Sequence, residues 1–155
     1  MRPASLLVGL SVIAAAGFVA APAHAAAPGL VDGTIVVGST TCSWTNATTS
    51  NTPPNTLTVN HTTISPTCTG GITVSLSSSP TVTFNDGAGT ASSAQIQVTA
   101  SVLGVNCGYR VSNVSVNRQG TTRNYTGGPF TATKISGSFL CPGSETVDSA
   151  TFRFH

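Results

Sequence analysis

Few residues of this chain have side chains that could carry out chemistry. Beyond residue 25 there are four cysteines, four carboxylates and two histidines. The cysteines are Cys42, Cys68, Cys107 and Cys141, and four cysteines permit three pairings. They lack the short spacing of a zinc knuckle, and no histidine lies near the second pair, so the sequence predicts two disulfides and no metal site. We favour Cys42 with Cys68 and Cys107 with Cys141, because each bond then spans one or two hairpins.

The candidate acids, bases and nucleophiles form no recognisable catalytic motif. His155 ends the chain and is expected to fray, which suits a catalytic role poorly. His61 follows a predicted strand, and no G-x-S-x-G elbow is present. The four carboxylates are scattered: Asp32, Asp86, Glu145 and Asp148. The sequence therefore predicts no enzymatic activity and no cofactor, and a small secreted hydrolase is kept as a further alternative.

One cluster of polar residues is a candidate ligand-binding site. Arg118, Arg123 and Tyr125 flank a predicted turn at Gln119-Gly120. Two guanidinium groups and an aromatic ring could stack on and hydrogen-bond a sugar or an acidic ligand. The alternative is an ordinary solvated hairpin tip.

The first residues have the layout of a secretory signal peptide. Arg2 precedes an uncharged apolar run over residues 6–21, and residues 23–25 (Ala-His-Ala) form a small-x-small cleavage site. We therefore predict a signal peptide over 1–25 and a single secreted β-domain over 26–155. Export would place the cysteines in an oxidising compartment. No later apolar stretch approaches the about 20 residues of a membrane helix, so no transmembrane segment is predicted after cleavage.

Charge is scarce and gives little indication of a partner. Asp, Glu, Lys and Arg make up 6% of the chain, against about a quarter in an ordinary globular domain. No cluster of Lys and Arg could neutralise several phosphates, so nucleic acid is not a predicted partner. An extracellular or cell-wall partner of unknown identity is the remaining expectation.

Alternation of apolar and polar residues predicts β-strands along most of the chain. The longest predicted strand places these side chains on one face: Ala94, Ile96, Val98, Ala100 and Val102. The alternation slips by one residue at Ser112-Asn113, which predicts a bulge or tight corner. A final strand has Ala150, Phe152 and Phe154 on one face. We count about eight to ten short strands, which predicts an all-β, antiparallel β-sandwich of immunoglobulin-like or Greek-key type, with a small barrel as the alternative.

Three motifs resemble those of small secreted actinobacterial all-β proteins that have no assigned activity. They are residues 41–46 (TCSWTN), residues 108–110 (GYR) and residues 137–142 (GSFLCP). The resemblance implies an exported protein and no mechanism. The leading prediction is accordingly a non-catalytic domain that acts by surface binding or as an extracellular or envelope structural component.

A second resemblance is to the neocarzinostatin type of chromoprotein apoprotein. Residues 26–28 (Ala-Ala-Pro) are similar to the start of those mature proteins, which are poor in charge and carry two disulfides. The resemblance implies an immunoglobulin-like sandwich that carries a small apolar ligand in a cleft. The disulfides of that family close shorter loops than the pairing favoured above. A cleft lined by Phe130, Phe139, Phe152 and Phe154 would favour such a carrier.

Overall fold

A computed structural model describes residues 28–155, and these residues form twelve strands and two short 3-10 turns. The predicted signal peptide lies outside the described residues. The strands are β1 (Gly29–Val37), β2 (Thr40–Thr49), β3 (Leu57–Thr58), β4 (Thr67–Cys68), β5 (Thr73–Leu76), β6 (Thr81–Asn85), β7 (Thr90–Val102), β8 (Val105–Arg118), β9 (Asn124–Gly127), β10 (Phe130–Gly137), β11 (Ser144–Val147) and β12 (Ser149–Phe154). The 3-10 turns are His61–Thr63 and Thr69–Gly71.

The strands pair antiparallel throughout in one long sheet. Its order is β3-β6-β7-β8-β9-β12-β1-β2-β4, with β5 paired to β7, and β10 paired to both β8 and β11. The apolar faces of β7–β8 and of β1–β12 contribute to one core, as in a sandwich. The path ends at β3 and β4 without closing, so the all-β sandwich prediction is confirmed and the closed-barrel alternative is not adopted. The extra strands relative to the predicted eight to ten include the two-residue β3 and β4.

Two long strands, β7 and β8, form a ribbon that runs through the whole molecule. At one end of the ribbon Ala91 and Val116 are buried, whereas further along the inward side chains are those of Ile96 and Val111. Both strands therefore change the face that they bury, and β8 does so at the predicted slip, at Ser112 and Asn113.

 

The φ of Asn113 is 52°, which lies in the left-handed region. The slip in β8 is therefore confirmed. In β7 it was not predicted, and Ala94, expected on the inward face, is exposed.

The core is densely packed at one end of the ribbon. Tyr125 and Leu57 are fully buried there. The ring of Phe154 meets the ring of Phe84 edge-on at 5.1 Å and that of Tyr125 at 5.9 Å between centroids. Edge-to-face aromatic contacts of this kind add to the stabilisation that burial provides. This end, called the closed end below, anchors β6, β9 and β12.

The last strand is held between two neighbours. β12 pairs with β1 on one side and β9 on the other, and Phe154 is the register partner of Val31. His155 was predicted to fray, and this prediction is wrong: its N–H donates to the Leu30 carbonyl at 2.9 Å, and its carbonyl accepts from the Leu30 N–H at 2.7 Å. Its ring also lies 3.3 Å from the Asp32 carboxylate. Pairing with β1 thus continues to the final residue.

Both disulfides have the connectivity favoured from the sequence. Cys42 bonds Cys68 across the β2–β4 pair, where the two residues are register partners. Cys107 bonds Cys141 and ties the loop after β10 to β8. No free cysteine occurs within residues 28–155.

Candidate functional site

The predicted polar cluster does come together, but its groups bind one another. Arg123 donates to both carboxylate oxygens of Asp86, one of them at 2.9 Å. Arg118 donates to the same carboxylate at 3.2 Å and to the Asp86 carbonyl at 3.1 Å. Tyr125 accepts from Arg123 at 3.2 Å, and its ring packs against Phe84. The guanidinium groups and the ring face that a ligand would use are thus engaged within the protein.

The charges of this cluster stabilise each other. The hydrogen bond from Arg123 is the main cause of a lowered pKa of Asp86, which desolvation opposes and the nearby positive charges reinforce. The pKa of Arg123 is raised, chiefly by Asp86. Asp86 lies in the β6–β7 turn, whereas the arginines flank the β8–β9 turn. The geometry therefore favours a structural role, in which the cluster links two hairpin turns.

His61 has a serine neighbour but no carboxylate partner among residues 28–155. Its Nδ1 lies 2.9 Å from Oγ of Ser79. Asp32 instead accepts from the Asn46 N–H at 2.8 Å, and this bond is the main cause of its lowered pKa. Asp148 accepts from the Gly38 N–H at 2.7 Å. In the described part of the chain, these carboxylates support backbone groups and do not complete a triad with His61 and Ser79.

An apolar cleft lies between the two faces of the sandwich. Its volume is about 650 Å³, within the range of small-molecule sites. Its lining runs from Ala91 and Phe154 at the closed end to Val102 and Leu103 at the end of the β7–β8 hairpin. Six of the lining side chains lie away from the closed end: Ile35, Val74, Val98, Ala100, Val105 and Leu140. Three of the four phenylalanines expected around such a cleft line it, namely Phe130, Phe152 and Phe154. The fourth, Phe139, is exposed and does not line the cleft.

Lining side chains away from the closed end face the cleft but are not fully buried. Val74, Val98 and Ala100 are only half-buried, although their alternation is that of core residues. The opposing wall supplies aliphatic side chains of β1, such as Ile35, which is also half-buried. No aromatic cluster like that of the closed end fills this space. The two walls therefore leave aliphatic surface in contact with solvent.

Polar side chains are few among the residues that line this cleft. Glu145 is the one charged side chain among the described residues that line it. Tyr109 also lines the cleft, and its hydroxyl donates to the Pro142 carbonyl at 3.3 Å. Burial, with a smaller contribution from Glu145, raises the pKa of Tyr109. The cleft is consequently suited to an apolar ligand that carries no negative charge.

The sequence predicted an apolar cleft only as an alternative. Most of the residues that line it were not predicted. The inward alternation of Ile96, Val98 and Ala100 in β7 was its one visible signal. Alternation identifies the face that a side chain takes, but the distance to the opposite wall depends on the folded sheet.

Comparison with family models, with curated proteins and with solved structures finds no match. Within residues 28–155, no helix is long and apolar enough to cross a membrane.

Proposed function

We propose that this chain is a secreted, non-catalytic β-sandwich domain that carries a small apolar ligand in its cleft. The observation that supports this proposal most strongly is the apolar cleft, which has a volume of about 650 Å³ and an aliphatic wall. Apolar surface gains about 25 cal/mol for each Å² removed from water, so a ligand that covers this wall is bound by the hydrophobic effect.

The shape of the cleft favours an elongated ligand. Inward-facing residues of β7 run from Ile96 to Val102 along the cleft, a length of about 20 Å at the rise of a β-strand. Glu145 disfavours an anionic group near the wall. The proposed ligand class is therefore an uncharged, elongated, apolar molecule.

A neutral fluorophore tests this proposal. Diphenylhexatriene is weakly fluorescent in water and bright in an apolar site, and we expect the protein to bind it. Ala100→Phe places an aromatic ring in the cleft and should weaken binding about tenfold or more, the factor that corresponds to 1.4 kcal/mol. Gln97→Phe is the matched control, because Gln97 belongs to the same strand but does not line the cleft.

Two results would contradict the proposal. One is the absence of fluorophore binding by the unaltered protein. The other is unchanged binding by Ala100→Phe in a protein whose circular dichroism spectrum and disulfides are intact. Ala100→Leu provides a second variant with a smaller added volume, for which we expect an intermediate loss.

Export is supported by the signal-peptide layout and by two disulfides in the described domain. The intact mass of the protein recovered from the culture medium tests it. We expect a chain that begins at Ala26 and has no alkylatable thiol before reduction.

A further inference from the structure

All large hydrophobic side chains that are exposed within residues 28–155 lie in two segments. Val102 and Leu103 form the end of the β7–β8 hairpin, and Ile135, Phe139 and Leu140 belong to β10 and the loop after it. Leu103 is 98% exposed and Phe139 is 92% exposed. A contiguous set of exposed apolar groups marks an interaction site, whereas single exposed groups do not. We call these two segments the apolar tips.

The apolar tips are linked to each other through Cys107. Gly137 is the register partner of Cys107, and Cys107 is bonded to Cys141, next to Leu140. Leu103 is four residues from Cys107, about 13 Å along the strand. Leu103 and Leu140 also line the cleft. Each tip therefore contributes a leucine to the lining of the cleft.

Leu103 has a backbone conformation that leucine rarely adopts. Leu103 and Gly104 join paired residues Val102 and Val105, and both have positive φ, 49° and 80°. A two-residue hairpin of this kind favours Asn or Asp before Gly. Leucine has a steric cost in that conformation, and here its side chain is exposed, so burial offsets little of that cost. An external apolar contact would compensate for this cost.

The charged residues near the apolar tips bear on whether their partner is a protein or a bilayer. Residues 97–110 and 134–143 contain no Asp or Glu, and they carry Arg110 and Lys134. A stable protein interface buries about 800 Å² per partner over about 20–30 residues, whereas the apolar tips comprise five exposed side chains. The interface of a bilayer accepts protruding apolar side chains to a depth of about 5–10 Å without a complementary shape.

We infer that the apolar tips form a lipid-contact surface, and that the cleft opens toward the hydrocarbon of a bilayer. An apolar ligand could then pass between lipid and cleft without crossing water. This inference extends the proposed function, since it names the surface at which the ligand is exchanged, and Phe139 separates the two because it does not line the cleft.

Flotation with phosphatidylcholine vesicles tests the inference. We expect the unaltered protein to float with the vesicles and Phe139→Ser to lower the bound fraction about tenfold, as the loss of one inserted aromatic side chain implies. Leu103→Asn should act similarly while it restores a favoured turn residue. Ser115→Asn, an exposed substitution in β8 toward the closed end, is the control and should float as before.

Two comparisons separate this inference from the proposed function. Phe139 does not line the cleft, so Phe139→Ser should still bind diphenylhexatriene in the absence of lipid. Ala100→Phe should still float with vesicles although it binds the fluorophore poorly. The lipid-contact inference is overturned if the unaltered protein does not float, or if Phe139→Ser floats equally well. It is also overturned if the unaltered protein is a dimer that Phe139→Ser converts to a monomer, since the tips would then join two copies.

Discussion

Gly33 in β1 lies directly beneath the indole ring of Trp44, its register partner in β2. A methyl group at residue 33 would overlap the ring atoms of Trp44. The ring in turn lies 6.2 Å from that of Phe152, measured between centroids. This close approach makes the side chain at residue 33 a determinant of packing between β1, β2 and β12.

Gly33→Ala should therefore lower the free energy of unfolding by about 1–3 kcal/mol, the usual cost of overpacking. Urea denaturation measures it. Gly87→Ala is the matched control, because a methyl group there meets its nearest atom at an ordinary 3.6 Å. Equal stability of the two variants would show that Trp44 moves aside freely.

Asp86→Asn should lower the melting temperature at neutral pH, because it removes the carboxylate that both arginines bind. Since folding lowers the pKa of Asp86, its contribution is present above the ordinary value of 3.8 and is lost as the pH falls through the folded value. The difference between the variant and the unaltered protein should therefore shrink in acid. Thermal unfolding at neutral pH and below pH 3.8 measures both effects, and a difference that grows in acid would contradict the assignment.

Glu145→Gln should change which ligands the cleft accepts. An anionic fluorophore such as anilinonaphthalene sulfonate would meet one negative charge fewer, and we expect its affinity to rise about fivefold, the factor given by about 1 kcal/mol. Diphenylhexatriene carries no charge, so its affinity should stay the same. Fluorescence titration of both probes checks this, and equal changes for the two would exclude an electrostatic role for Glu145.

Replacing both Cys107 and Cys141 with serine should cost about 3–4 kcal/mol of unfolding free energy by loop closure. It should also reduce vesicle flotation, because the bond ties the loop that contains Phe139 to β8. Replacing Cys42 and Cys68 is the matched control, since that bond joins β2 to β4. We expect the control to lose stability but to float with vesicles, provided that both variants are assayed where they remain folded.

The side chains of Phe154 and Phe152 differ in burial, so replacing each with alanine should lower the free energy of unfolding by a different amount. Phe154 is buried against Phe84 and Tyr125, so Phe154→Ala should cost about 3–5 kcal/mol. Phe152 is only partly buried and lines the cleft, so Phe152→Ala should cost less and should weaken fluorophore binding. Denaturation and titration of the two variants test this division between core and cleft.

Local alternation was sufficient to predict several elements. The strand with Ala150, Phe152 and Phe154 and the slip at Ser112-Asn113 follow from patterns within short stretches. The disulfide connectivity was favoured for a different reason, that each bond then spans one or two hairpins. The matching slip in β7 was missed because Ser93 is polar and buried while Ala94 is apolar and exposed, which reverses the usual signal. Its cause is the pairing with β8, which sequence periodicity does not contain.

The role of the arginine cluster depended on contacts between distant segments. Arg118, Arg123 and Tyr125 were expected to lie together because they flank one turn, and they do. Asp86 was predicted only as one of four scattered carboxylates. Its position beside the arginines results from the sheet order β6-β7-β8-β9, which places the two turns side by side. The cleft is a similar case, since its volume depends on the spacing of two walls.

The β7–β8 ribbon belongs to both the closed end and the open cleft, and this has a consequence for hydrogen exchange. Amides near Ala91 and Val116 lie beside a filled core and should exchange with solvent only when the whole domain unfolds. Amides near Ala100 and Cys107 belong to the same pair of strands but have an unfilled space beneath them, so they should exchange through smaller openings. A ligand that fills the cleft would remove this gradient and slow exchange along the far half of the ribbon.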